Sequence, residues 1–250
     1  MQAEITYKNK KFIVDFNNPM DISIPLRTGN ANPNAFGINP PLFEPLRFGN
    51  YVASVAEGSS VNCENIFINA HGNGTHTECV GHISNTRITI NSVLKQFVFL
   101  AQLISVKPTP IGADYWITLD SIQSQLNPQA DAIILRTLPN TDAKLTQMYS
   151  GNNPAFIQPE LCAYLHQNKI KHLLVDLPSV DKEEDGGKVA AHRAFWNYPE
   201  NPVLDSTITE MIYVPNSITD NLYLLNLQIA SLETDASPSK PILYKINDVL

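Results

Sequence analysis

The sequence predicts a mixed α/β fold, and three observations carry that expectation. Buried apolar runs of strand length alternate with helical patterns along the chain. A length of 250 residues is enough to enclose one substantial core. No repeat, low-complexity tract or composition shift marks a boundary, so residues 1–250 are expected to form a single domain.

Taken in order, residues 5–16 alternate loosely and read as paired strands around a turn at residues 8–11. Residues 20–26 (MDISIPL) are a short strand ending at Pro25. Residues 27–50 are rich in Gly, Asn and Pro. Their apolar Phe36, Leu42, Phe43, Leu46 and Phe48 favour an ordered flap over a solvated linker. Residues 65–70 form a strand running into a Gly- and His-rich segment. Residues 91–97 suggest a short helix and 98–106 a buried strand. Residues 119–126 read as a helix capped near Thr118, with Asp120 in its first turn. Residues 131–138 and 171–177 are buried strands. Between them, residues 159–167 are a helix with Leu161, Cys162 and Leu165 on its apolar side. The DKEEDGG run at 181–187 is an exposed loop.

Composition removes several function classes. The formal net charge is −7 and only 16% of residues are charged, against about 25% in an ordinary domain, so uncharged polar groups must cover much of the surface. A negative chain without a basic block does not bind nucleic acid well, because that affinity comes from Lys and Arg at phosphates. The longest apolar stretch, 97–104, is broken by Gln102 and too short to span a bilayer. The first residues hold no continuous apolar run of the secretory type. Cys63, Cys79 and Cys162 have no CxxC spacing and fit reduced thiols in a cytoplasmic protein.

The chemistry concentrates in one place. Three of the six histidines, His71, His76 and His82, fall within twelve positions, with Glu78 among them. Neutral imidazole and carboxylate are natural ligands for zinc or manganese. In an extended chain His76 and Glu78 point to one side, because side chains alternate with period two. Gly72, Gly74 and Gly81 permit the bends that would bring His71 and His82 around. No GxSxG elbow, Walker A loop or GxGxxG turn is present, which argues against serine hydrolase, NTPase and dinucleotide-binding readings. Asp176 and Asp181 flank a Pro-Ser turn and read as its braces. His166 and His172 read as surface or packing residues.

The segment GTHTECVGH resembles the HxGTHxDxPxH signature of metal-dependent cyclases and kynurenine formamidase-like hydrolases. The resemblance continues along most of the chain. Asp21-Ile-Ser23-Ile-Pro25-Leu is similar to the family's opening D-[IL]-S-H-P-[IL] strand, and Ile134-Leu-Arg136-Thr to its LLRT strand. Asp176-Leu-Pro178-Ser179-Val180-Asp181 is similar to its D-x-P-S-x-D turn, and Ala191-His192-Arg193 to its downstream AH[RK]. Glu210 stands where an E-N-L strand is expected. The family pattern places its first histidine where this chain has Gly72, with His71 alongside. It has Asp where this chain has Glu78, and Pro where this chain has Val80.

The resemblance implies a swivelling β/β/α fold with a β-barrel-like core, surrounding helices and assembly as a homodimer or higher oligomer. It implies metal ligands at His71, His76 and Glu78, with His192 and Glu210 completing a second metal position or the second side of one metal. His82 would be the catalytic histidine. The expected activity is hydrolysis of a C–N amide bond in a small molecule, arylformamidase or cyclic amidase in type, with a divalent Zn or Mn. The competing readings are a non-catalytic metal or small-ligand binder and a lactone or ester hydrolase built on the same site. The flap phenylalanines Phe36, Phe43 and Phe48 would supply an apolar wall for substrate.

Overall fold

Ten strands share one sheet in the computed structural model, which describes residues 1–8 and 10–248. In chain order they are β1 (Gln2–Tyr7), β2 (Lys10–Asp15), β3 (Met20–Asp21), β4 (His76–Cys79) and β5 (Val98–Val106). The rest are β6 (Ala132–Thr137), β7 (His172–Val175), β8 (Thr207–Glu210), β9 (Leu222–Ile229) and β10 (Ala236–Asp248). Seven of them close on themselves in the order β10, β9, β5, β6, β7, β8, β4. Ala236, Ser237 and Pro238 complete the ring by pairing with Glu78, Thr77 and His76. The expected barrel-like core with surrounding helices is therefore present. The predicted hairpin is also present, as β1 against β2, and it extends the sheet from the far end of β10.

Strands β5 to β8 run parallel, and the remaining barrel pairings are antiparallel. A parallel strand covered on both faces reads as a continuous apolar run, which is why residues 132–137 (AIILRT) are buried throughout. Period two divides the run between two cores. Ala132 and Ile134 turn into the barrel with Phe99, Leu103, Leu174, Leu225 and Leu243. Ile133 and Leu135 turn outward, beneath helices α1 (Pro159–Gln167) and α2 (Ala190–Trp196), where they meet Leu161, Leu165, Phe195 and Trp196. Each such side chain contributes about 1.5–3 kcal/mol by leaving water. This division fixes the site: Thr77 and Thr209 share a hydrogen bond on the inner face of the barrel, so His76, Glu78 and Glu210 face outward toward α2.

Three predicted elements differ, and the strand expected over 20–26 is only the two residues Met20–Asp21. The helix expected over 119–126 is a pair of 3-10 turns, Leu119–Ser121 and Gln123–Gln125. Ile122 between them leaves helical geometry at φ −121° and is fully buried in the outer core. Anchoring one apolar residue outweighs the weak helix preference of so short a segment. The helix expected over 91–97 is a single turn, Ile90–Val93, with the Thr89 side chain accepting from the Ser92 amide. The flap is ordered, as expected. Leu42–Pro45 pairs with Glu64–Phe67, and the Asn32 side chain ties the loop at Arg27 and Gly29. No described helix is long and apolar enough to cross a membrane.

Candidate metal centre

Five of the predicted site residues come to one place on the outer barrel wall, and His82 stands at its rim. Strand β4 carries His76 and Glu78, and β8 sets Glu210 directly across from His76. Helix α2 lays His192 over them. His71 sits on the short helix Ala70–Asn73, whose first turn is capped by the Asn69 side chain accepting from the Gly72 amide. His82 closes the 3-10 turn Val80–His82. Gly81 makes that turn possible, because a Cβ there would lie 2.0 Å from the Ile88 carbonyl oxygen.

Gly72 explains the displaced first histidine. A Cβ on Gly72 would lie 2.4 Å from Ile38 Cδ1 and 3.1 Å from the Ala35 carbonyl oxygen, so a side chain there would have to displace Ile38 and press on the Ala35 backbone. The neighbouring His71 reaches the centre instead. Its Nδ1 is 3.1 Å from Glu78 Oε2.

Hydrogen bonds set the ring orientations. His76 Nδ1–H donates to the Gly74 carbonyl at 2.9 Å, which leaves Nε2 as the lone-pair nitrogen. That nitrogen is buried without a hydrogen-bond partner and lies 3.3 Å from Glu210 Oε2. Glu78 Oε2 is likewise buried and makes no hydrogen bond, with His71 Nδ1 beside it at 3.1 Å. Glu78 Oε1 accepts from His192 Nε2 at 2.9 Å. Glu210 Oε1 accepts from the Val180 amide at 2.9 Å.

Two further residues belong to the centre. Asp181 does more than brace its turn. It accepts from the amides of Ala191 and His192 at the start of α2, and from His192 Nδ1 at 2.6 Å. Asp235, just before β10, accepts from His71 Nε2 at 2.8 Å and His82 Nδ1 at 3.2 Å. The D-x-P-S-x-D turn was a visible signal for Asp181. No local motif singles out Asp235, which arrives through the register of β10 on β4. His166 and His172 stay away from the centre. His172 is buried inside the barrel, bonded to Thr207 Oγ1 at 2.8 Å and packed on Phe99.

Electrostatics follow from burial opposed by charge. Burial alone would raise the Glu78 pKa, but His82 and His192 hold it well below the usual carboxylate range. Burial would lower His192, yet Glu78 and Asp181 raise it well above the ordinary imidazole value. His71 resists burial in the same way: Asp235 and Glu78 raise it to about 10. Asp235 is held low by its bonds to His71 and His82.

These donors fit a divalent metal. One ligand atom each from His71, His76 and Glu78 lie within 4.8 Å of one another, as do those of His71, His82 and Asp235, and of Glu78, His82 and His192. Imidazole nitrogens and carboxylate oxygens are the donor set of zinc and manganese sites. A lone-pair nitrogen and a carboxylate oxygen, both buried and without a hydrogen bond, are what a cation would satisfy.

The sequence model of a family described as "Putative cyclase" matches residues 20–182, about two thirds of the chain. The chain belongs to this cyclase family. The matched stretch holds His71, His76, Glu78, His82 and Asp181, while His192, Glu210 and Asp235 follow it. No curated protein sequence matches the chain. Solved structures with the cyclase fold do. A potential metal-dependent hydrolase with cyclase activity is 16% identical, with a TM-score of 0.67 over 91% of this chain and 97% of that one. A predicted metal-dependent hydrolase from Bacillus stearothermophilus is 16% identical, with a TM-score of 0.64 over 91% and 98%. An isatin hydrolase bound to the product analogue thioisatinate is 13% identical, with a TM-score of 0.65 over 92% of each.

Proposed function

We propose that residues 1–250 act as one metal-dependent hydrolase domain cleaving the C–N bond of a small amide, an N-formyl aromatic amine or a cyclic amide. The observation that carries this reading is the pair of buried atoms without a hydrogen bond, His76 Nε2 and Glu78 Oε2, within the histidine cluster. His71, His76 and Glu78 would hold a zinc or manganese ion, with His192 and Glu210 on its other side. A metal bound there would supply Lewis acidity toward a carbonyl and a lowered pKa for water.

The chain's own residues supply the rest. His82 is partly exposed at the rim and serves as the proton carrier between water and the leaving amine. Asp181 fixes the His192 ring through Nδ1, with Nε2 directed at Glu78. A cleft of about 250 Å³ opens on His71 and Asp235, with Ile68 and Leu232 on its apolar rim. These two line the cleft beside the cluster, and the expected Phe36, Phe43 and Phe48 do not; Phe48 is 83% exposed on its own hairpin. Isatin is itself a cyclic amide, which supports this substrate class through the shared fold.

Homodimer assembly is part of the same proposal. Phe48 on the flap and Ile66 and Phe67 on the strand paired with it are exposed, and covering such a surface favours a second copy. Three unpaired cysteines agree with a reducing cytoplasmic setting.

The test is turnover of N-formyl aromatic amines and cyclic amides by Zn- and Mn-loaded protein, alongside His82→Ala. The reading expects wild-type activity, and loss of turnover in His82→Ala with metal content retained. A metal-loaded protein inert on the whole panel would leave the binding-protein reading in its place.

A further inference from the structure

Asp235 stands outside the expected ligand set, yet it touches more of the cluster's histidines than its place in the sequence suggests. One oxygen, Oδ2, accepts from both His71 Nε2 and His82 Nδ1. The two rings lie tilted against each other with centroids 4.3 Å apart, so a single carboxylate joins them into one unit.

The backbone around Asp235 is fixed independently of that contact. Its carbonyl accepts from the Cys79 amide at 3.0 Å, and Ala236 pairs directly with Glu78. On the other side, the Thr234 carbonyl accepts from the Ile90 amide at 2.8 Å. Glu233 takes hydrogen bonds from Thr89, Asn91 and Arg87. The carboxylate is thus delivered to the cluster by strand register on one flank and by the Ile90–Val93 turn on the other.

We propose that Asp235 is a positioning residue that determines which ring nitrogen each of these histidines presents. A carboxylate can only accept, so His71 must donate Nε2–H to it and is left to face Glu78 through Nδ1. His82 must donate Nδ1–H and is left with Nε2 for proton transfer. This solves a problem particular to the chain. His71 reaches the centre from one residue before the position that Gly72 closes, and a ring entering from a shifted backbone needs its orientation imposed. The inference rests on the proposed metal site, and it adds a residue that acts through the ligand and the proton carrier rather than on substrate.

Zn2+ affinity, measured by competition with a chromophoric chelator, tests it in Asp235→Asn, Asp235→Ala, His71→Ala and the corresponding doubles. Asp235→Asn and Asp235→Ala should each weaken Zn2+ by about 10–100-fold. In the His71→Ala background either change should add less than about twofold, because the coupling runs through His71. Wild-type affinity in the single variants, or a full additional loss in the doubles, overturns the proposal. Glu233→Gln loosens the same loop without touching either ring, and it should lower the melting temperature while leaving Zn2+ affinity in place. A loss in Glu233→Gln equal to that in Asp235→Asn would reduce Asp235 to loop scaffolding.

Ring 15N spectra of the metal-free protein separate this from failure of the metal reading. Asp235→Ala should shift both the His71 and His82 resonances and spare His166. If wild-type protein takes up no Zn2+, the hydrolase reading falls while those shifts still decide the role of Asp235. Unmoved resonances overturn it.

Discussion

Ile38 closes over Gly72 so tightly that a Cβ at position 72 would lie 2.4 Å from its Cδ1. Gly72→His, which would restore the spacing of the family signature, should therefore fail to supply a ligand. Overpacking of this kind costs about 1–3 kcal/mol. Thermal melting should show the loss, and Zn2+ affinity should not rise above wild type. A variant as stable as wild type with tighter metal binding would refute the packing argument.

Glu78 reaches His192 at 2.9 Å and His71 at 3.1 Å with the full length of its side chain. Glu78→Asp withdraws the carboxylate by about 1.5 Å, one carbon–carbon bond, against a ligand tolerance of roughly 0.2 Å. We expect at least about tenfold weaker Zn2+ binding, read by chelator competition. Unchanged affinity would mean that Glu78 does not contact the metal.

Asp181 holds the start of α2 and the His192 ring at once. Asp181→Asn keeps a capping oxygen for the helix but weakens the acceptor for His192 Nδ1–H. Zn2+ affinity should fall about 10–100-fold while the melting temperature moves by only a few degrees. Equal loss in both measurements would assign Asp181 to the helix alone.

His172 offers a pH test away from the metal cluster. Burial inside the barrel lowers its pKa from 6.5 to about 3, so the folded protein keeps the ring neutral. Its contribution to stability is fully present above pH 6.5 and is lost as pH falls toward 3, where the folded state also takes the proton. The full loss is on the order of 5 kcal/mol. Urea midpoints between pH 4 and 7 should fall more steeply for wild type than for His172→Gln. Parallel slopes would show that the ring does not titrate as described.

Local pattern made part of this molecule legible. Period two puts His76 and Glu78 on one side of a strand, and the apolar run at 132–135 signals a strand covered on both faces. Contacts between distant segments were harder to read. Asp235 enters the cluster only because Ala236 pairs with Glu78, and a strand's register across so long a separation leaves no local mark. The two turns at 119–125 differ from the expected helix because their apolar spacing suits either form, and the pull of the outer core on Ile122 decides between them. Glu210 could be placed by resemblance, but its position opposite His76 needed the β4–β8 pairing.

The closing strand β10 bonds to four others along its length: β4 through residues 236–238, β9 through 239–245, β3 through Ile242 and Leu243, and β2 through 246–248. It also follows every other barrel strand in the chain. Translation therefore delivers the ring's last stave after His71, His76, Glu78, His192 and Glu210 have all been made. Until then β4 and β9 each keep an open edge, and the carboxylate of Asp235 is missing from the cluster. The strand that closes the ring thus also brings the last carboxylate to the histidine cluster, so the barrel wall and the cluster are finished by the same pairing.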